Sequence, residues 1–199
     1  MPRTNISIAD EVADELSAEA MKRNKTLYAF ANESLTAVIS VCKLSGEPGE
    51  VLQSWRLSRM LKDVEAVPLP GDLVEKLVKK LYSTDKDWLL KTWHEEGSRI
   101  GSYLRMAYND LPMLAQAAVD FQGLLPVRRL EIRGTGVREE KETIVLRAIG
   151  AGLSVESTAC AEHFISGIID AYAWTIGSSR AVEGILEITA SRKKQRATA

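Results

Sequence analysis

Cys160 and His163 stand three residues apart in Cys160-Ala161-Glu162-His163, a spacing that sets a thiol and an imidazole on one helical face, within reach of a single zinc or haem iron. Two ligands do not close such a site, and the only other histidine is His94. The pair therefore reads as a core thiol beside a surface or hydrogen-bonded imidazole, and neither a metal nor another cofactor is expected. Gly150-Ala151-Gly152 lies between a strand pattern and a helical one, as a dinucleotide loop does, but Val155 holds the third glycine position and only about 50 residues follow it. A tight turn from strand to helix is the better reading. Trp88, Trp93, Tyr103 and Trp174 are aromatics of the kind that usually fill a core. If a small ligand binds, its expected pocket is Trp88, Trp93, Cys160 and His163. No catalytic residues stand out, so an enzyme is not expected. A second set lies at the N-terminus, where Arg3, Asn5 and Ser7 alternate with Thr4, Ile6 and Ile8. Arg pairs bidentately with guanine and Asn with adenine, so that face suits base recognition.

The whole chain must position these groups within 199 residues, of which 45% are apolar and 27% charged, ordinary for a folded protein of one or two domains. Net charge is -1 and pI about 6.2, so nothing global favours a polyanion. Two cysteines outside any CxxC pair suggest neither a disulfide framework nor zinc. With no leader and no apolar run of membrane-spanning length, a cytoplasmic protein without membrane contact is expected.

Composition breaks at Ser45-Gly46-Glu47-Pro48-Gly49, which divides the chain into domains 1–45 and 50–199. In the second, Leu73, Val74, Leu77, Val78 and Leu81 recur at helical spacing, as do Trp88, Leu89, Trp93, Ile100 and Leu104, and a third helix starts near Asp110 with Leu114, Ala117, Ala118 and Phe121 on one face. Period-2 alternation around Leu130 to Arg133 and Thr143 to Ala148, joined through Gly134 and Gly136, predicts a hairpin. Cys160, Phe164, Ile165, Ile168 and Tyr172 mark another helix, Val182 to Thr189 a final strand, and Ser191 to Ala199 a polar tail whose run Arg192-Lys193-Lys194-Gln195-Arg196 reads as a solvated end. The fold class is α+β, with order ααα-ββ-α-β in the second domain.

The first domain reads as a short strand, Arg3 to Ala9, and two amphipathic helices. Asp10 is the expected N-cap of the first, Asn24 suits its left-handed end, and Thr26 caps the second. A strand with no intrachain mate predicts pairing with a second copy. The stretch TNISIADEVADELSAEAMKRNKTLYAFANESL resembles the ribbon-helix-helix family of Arc, MetJ, CopG and NikR-like regulators over about the first 43 residues. The resemblance implies an intertwined β-α-α homodimer, which can pair further into a tetramer, on double-stranded DNA. Arg3, Asn5 and Ser7 then read bases, while Lys25, Thr26 and Leu27 meet phosphate. Two departures are noted: Asn24 replaces the family's turn glycine, and residues 1–43 carry five Lys/Arg against six Asp/Glu.

Val145 to Ser191, through GAGLSVES, AEHFISGIIDAYAW and AVEGILEITAS, resembles the small-molecule-binding domain of the 4-vinyl reductase type, related to the TRAPP fold. Together these imply a DNA-binding, repressor-like transcription regulator modulated by a sensor domain that takes a small-molecule effector. The alternatives are an enzyme or carrier of 4-vinyl reductase type that uses the N-terminal segment for dimerisation, and an antitoxin.

Overall fold

Ile6 to Ala9 run without secondary structure into helix α1 (Asp10–Lys22). The computed structural model describes residues 6–44, 46–120, 127–138, 141–152 and 154–193. Ala9, not Asp10, is the cap residue of α1 and offers no side-chain acceptor, so Asp10 and Glu11 act on the helix dipole from within the first turn. The helix ends as its residues dictate. Asn24 takes the left-handed conformation at φ 54°, and the Lys25 amide donates back to the Ala20 carbonyl at 3.0 Å. Thr26 then accepts from the Ala29 amide at 3.1 Å and opens α2 (Leu27–Lys43). Helix α3 (Pro48–Asp63) follows, with proline at its first position.

The β-α-α start expected from the sequence is not found. No strand occurs among the described residues of 6–58, and the N-terminal unit there is α1-α2-α3. Arg3 and Asn5 lie outside the described residues. A strand exists only where another backbone takes up its N–H and C=O groups, and Ile6 to Ala9 have no such strand partner among the described residues. Ile6 and Ile8, which the alternation placed on a buried face, are 71% and 50% exposed. The ribbon-helix-helix assignment and its intertwined ribbon dimer fall with the strand.

The chain divides into two compact units, Met1–Ser58 and Arg59–Ala199, inside α3. The second unit runs α4 (Gly71–Thr84), α5 (Lys86–Ala107), α6 (Leu111–Asp120), β1 (Arg129–Arg138), β2 (Lys141–Ile149), α7 (Val155–Ala171), β3 (Thr175–Val182) and β4 (Ile185–Lys193). Its order is therefore ααα-ββ-α-ββ. The single last strand expected over Val182 to Thr189 is a hairpin that turns at Glu183 and Gly184, where Gly184 has φ 71°. Gly177 to Ser179 hid the first arm, because a bulge between Ile176 and Ser178 breaks the period of 2. Arg192 and Lys193, expected in the solvated tail, belong to β4.

The four strands form one antiparallel sheet of order β1-β2-β4-β3. Leu130, Ile144, Ala148, Leu186, Ile188 and Ala190 fill its inner face, where Leu111 and Ala115 of α6 and Ile169 of α7, with Tyr172 and Trp174, complete the core. Helix α5 packs on α7 at backbone contact. A methyl group on Gly97 would lie 2.0 Å from the Phe164 carbonyl oxygen, and one on Gly167 would lie 2.1 Å from that of His94. Only glycine fits such an approach. Tyr172 Oη donates to the Tyr108 carbonyl at 2.8 Å, and Arg105 donates to that of Ala171 at 2.7 Å, which fixes the end of α5 beside the end of α7. Arg192 is held bidentately by Asp110 at 2.8 Å, bonds Glu142 at 2.9 Å, and stacks 5.0 Å from the Trp174 ring.

Candidate functional site

Helix α4 lies on α5 and α7 and closes a second apolar layer over Cys160, in which Val78, Leu89 and Cys160 are buried and Val74, Leu81, Tyr82, Leu90 and Trp93 pack around them. The sulfhydryl is 1% exposed. Burial, and after it the charge of Glu75, push its pKa up to about 11, so Cys160 stays a thiol at neutral pH. Trp93 meets Phe164 edge-on, 6.0 Å between centroids at 80°.

Glu75 is the polar member of this layer. Its side chain is 14% exposed, its Oε1 is buried without a hydrogen-bond donor, and the Lys79 ammonium stands 3.7 Å away, beyond bonding distance. Native structures rarely leave a buried carboxylate oxygen without a hydrogen bond, and here the Lys79 charge offsets its desolvation only in part.

The sequence-predicted pocket is brought together in part. Trp93 and Cys160 share the layer. Trp88, in the first turn of α5, is 53% exposed. His163 is half-buried, and its Nδ1 lies 3.0 Å from the Ala159 carbonyl, so that nitrogen carries a proton and donates to its own helix. Sequence reasoning passed over Glu75, which stands at the flank of the stripe of Val74, Val78 and Leu81, where a carboxylate is ordinary. His94 Nε2 pairs with Asp170 at 2.9 Å on an exposed surface. Among the described residues no group of three or more His, Cys, Asp or Glu could hold a metal ion. The Gly150 to Gly152 turn is closed on itself. The Gly150 amide donates to the Gly184 carbonyl at 2.6 Å, Ser154 and Ser157 form a capping box, and buried Thr158 accepts from the Gly184 amide at 2.9 Å.

Of the residues assigned to DNA, Ser7, Lys25, Thr26 and Leu27 are among the described residues. Ser7 is exposed outside any strand, Thr26 accepts from the Ala29 amide, and Leu27 begins α2. Lys25 is paired with Glu33, and Lys22 and Arg23 are both paired with Glu19. These three cations are thus each paired with a carboxylate of their own segment, which lowers the positive charge they offer a phosphate backbone.

No protein-family model matches the chain, and no curated protein is significantly similar to it. Two solved structures align with it. One comes from work on heme distortion in the H-NOX family, with TM-score 0.43 and 10% identity over 69% of this chain and 84% of that one. The other is a point mutant of the T. tengcongensis H-NOX, with TM-score 0.44 and 11% identity over 71% and 87%. At these values neither assigns a fold or a ligand to this chain. The DNA-binding repressor is thus overturned by the helical N-terminus, and with it DNA as a partner; the reductase-type alternative has no support. Among the described residues no helix is long and apolar enough to cross a membrane.

Proposed function

We propose that the second unit is a non-catalytic small-molecule sensor, whose ligand is taken under α4 against Trp93, Cys160 and Glu75. The observation that carries this reading is the buried Glu75 Oε1 without a donor in an otherwise apolar layer. A ligand with an apolar body and one hydroxyl or amine would supply the donor and cover the aromatic wall, the usual composition of a small-molecule site. A thiol with its pKa near 11 supports binding over catalysis, because the thiolate is the nucleophilic form. Helix α4 is suited to admit a ligand: it rests on α5 and α7 through side chains, whereas α5 and α7 meet at backbone contact.

The test is a thermal-shift screen of the full chain with apolar compounds that carry a single donor. Binders should raise the melting temperature, alter Trp93 fluorescence and slow alkylation of Cys160, and Glu75→Leu should abolish all three effects. Binders that act equally on Glu75→Leu, or a compound that is chemically turned over, would overturn the proposal.

A further inference from the structure

The sheet face turned away from the helices carries a regular charge pattern. Arg147 of β2 stands opposite Glu131 of β1 and Glu187 of β4, and Glu187 stands opposite Arg180 of β3. One row across all four strands thus reads Glu131, Arg147, Glu187, Arg180. Beside it run Arg129, Ile149, Ile185 and Val182 on one side and Arg133, Val145, Thr189 and Ser178 on the other. The face is open, with Val182 41% and Ile185 36% exposed, and it holds a shallow depression of about 150 Å³ lined by Arg147, Arg180, Val182, Ile185 and Glu187.

We infer that this face pairs with the same face of a second copy, about a two-fold axis parallel to the strands and midway between β2 and β4. Reversing a row of alternating charge gives its complement. Such an axis sets Glu131 against the partner's Arg180 and Arg147 against the partner's Glu187, and both pairs recur by symmetry. The neighbouring rows fit the same operation. Ile149 meets the partner's Ile185, Val145 meets the partner's Thr189, and Arg129 and Arg133 face the partner's Val182 and Ser178, so no like charges oppose. An axis across the strands would instead set each charge against itself. Facing sheets stack about 10 Å apart, a gap that an arginine and a glutamate span together. Within the chain Glu131 pairs with Arg129 at 2.8 Å and Arg133 at 3.5 Å, and Arg147 stands 4.0 Å from Glu187, all as partly exposed pairs of small worth. Other occupants fit less well: a polyanion meets Glu131 and Glu187, and an apolar surface desolvates the row without adding a partner to it. This interface lies wholly in the second unit and is unrelated to the discarded N-terminal ribbon. Four strands by three rows present about 400 Å² per copy, which places the pair among weak, reversible associations.

Sedimentation of the full chain tests it. The wild type should dimerise reversibly as concentration rises, and more weakly at high salt. Arg147→Glu with Arg180→Glu makes the row wholly acidic, and Glu131→Arg with Glu187→Arg makes it wholly basic. Each variant alone should lose at least tenfold in self-association, and an equimolar mixture should recover a heterodimer. Where like charges impair folding, a second measurement decides: in a Cys42→Ser background, Ile149→Cys mixed with Ile185→Cys should be joined by a short bismaleimide faster than either protein alone, since facing sheets stand too far apart for a direct disulfide. A wild type that stays monomeric, single-sign variants that associate as the wild type does, or no preference for the mixed cross-link would overturn the proposal.

Discussion

At Cys160 two separate effects act in one direction. Burial disfavours the thiolate and Glu75 repels it, so the folded thiol titrates near 11 instead of its ordinary 9.0. Because the folded pKa is the higher, the folded state holds the proton longer. The thiol's contribution is intact below pH 9 and is lost as pH climbs from 9 to 11, on the order of 2–3 kcal/mol. Urea midpoints should therefore fall from pH 9 upward. In Cys160→Ala the fall should begin only near pH 10, where Tyr172, pushed up to about 12 mainly by burial, takes over. An unchanged onset in that variant would refute the assignment. Iodoacetamide at pH 8 should label exposed Cys42 promptly and Cys160 slowly. Residue chemistry of this kind was legible in most places where it is local, the Asp10 cap being the exception. Asn24 and Thr26 behave as their types dictate, and Cys160 reads as core from its apolar neighbours. Glu75 was missed because a carboxylate one place along an amphipathic stripe looks like the helix's wet edge until α5 and α7 are laid against it.

At the scale of elements, the helices of the second unit were legible from periodicity, and the α5–α7 contact was not, since a glycine in a helix signals close approach only once its neighbour is known. Gly97→Ala and Gly167→Ala each thrust a methyl onto backbone at 2.0 and 2.1 Å, and overpacking against backbone costs about 3 kcal/mol or more. Gly71→Ala, with nothing within 4 Å of the new methyl, should be neutral or stabilise by up to about 1 kcal/mol through helix propensity. Denaturant melts of the three variants give the comparison, and equal stabilities would refute the tight crossing. The N-terminal strand failed for the converse reason. Alternation in seven residues describes what a strand would bury, while a strand forms only if another backbone accepts it, and the helical pattern beginning at Asp10 needs no such partner.

For the whole molecule, the two units differ in how much they bury. Of the described residues before Ser58 only Ala20 is buried, while Val12, Met21, Tyr28, Leu35, Ile39, Leu52 and Trp55 are all at least 49% exposed. A helix whose apolar stripe meets water opens at low free energy. Amide exchange should therefore be fast through α1, α2 and the first turns of α3, and slowest in α5, α7 and β4. Equal protection in both units would count against this ranking. The two compact units divide after Ser58, inside α3.

Strand β4 is made after every other strand of its sheet, yet it lies between β2 and β3. During synthesis the β1–β2 hairpin therefore emerges with one long edge of β2 unpaired, and it stays so while α7 and β3 are added. The inner side chains Ile144, Leu146 and Ala148 line that waiting edge. The nascent protein thus passes through a window in which one edge of β2 has no native mate, and chains that end before β4 are expected to aggregate more readily than the complete one.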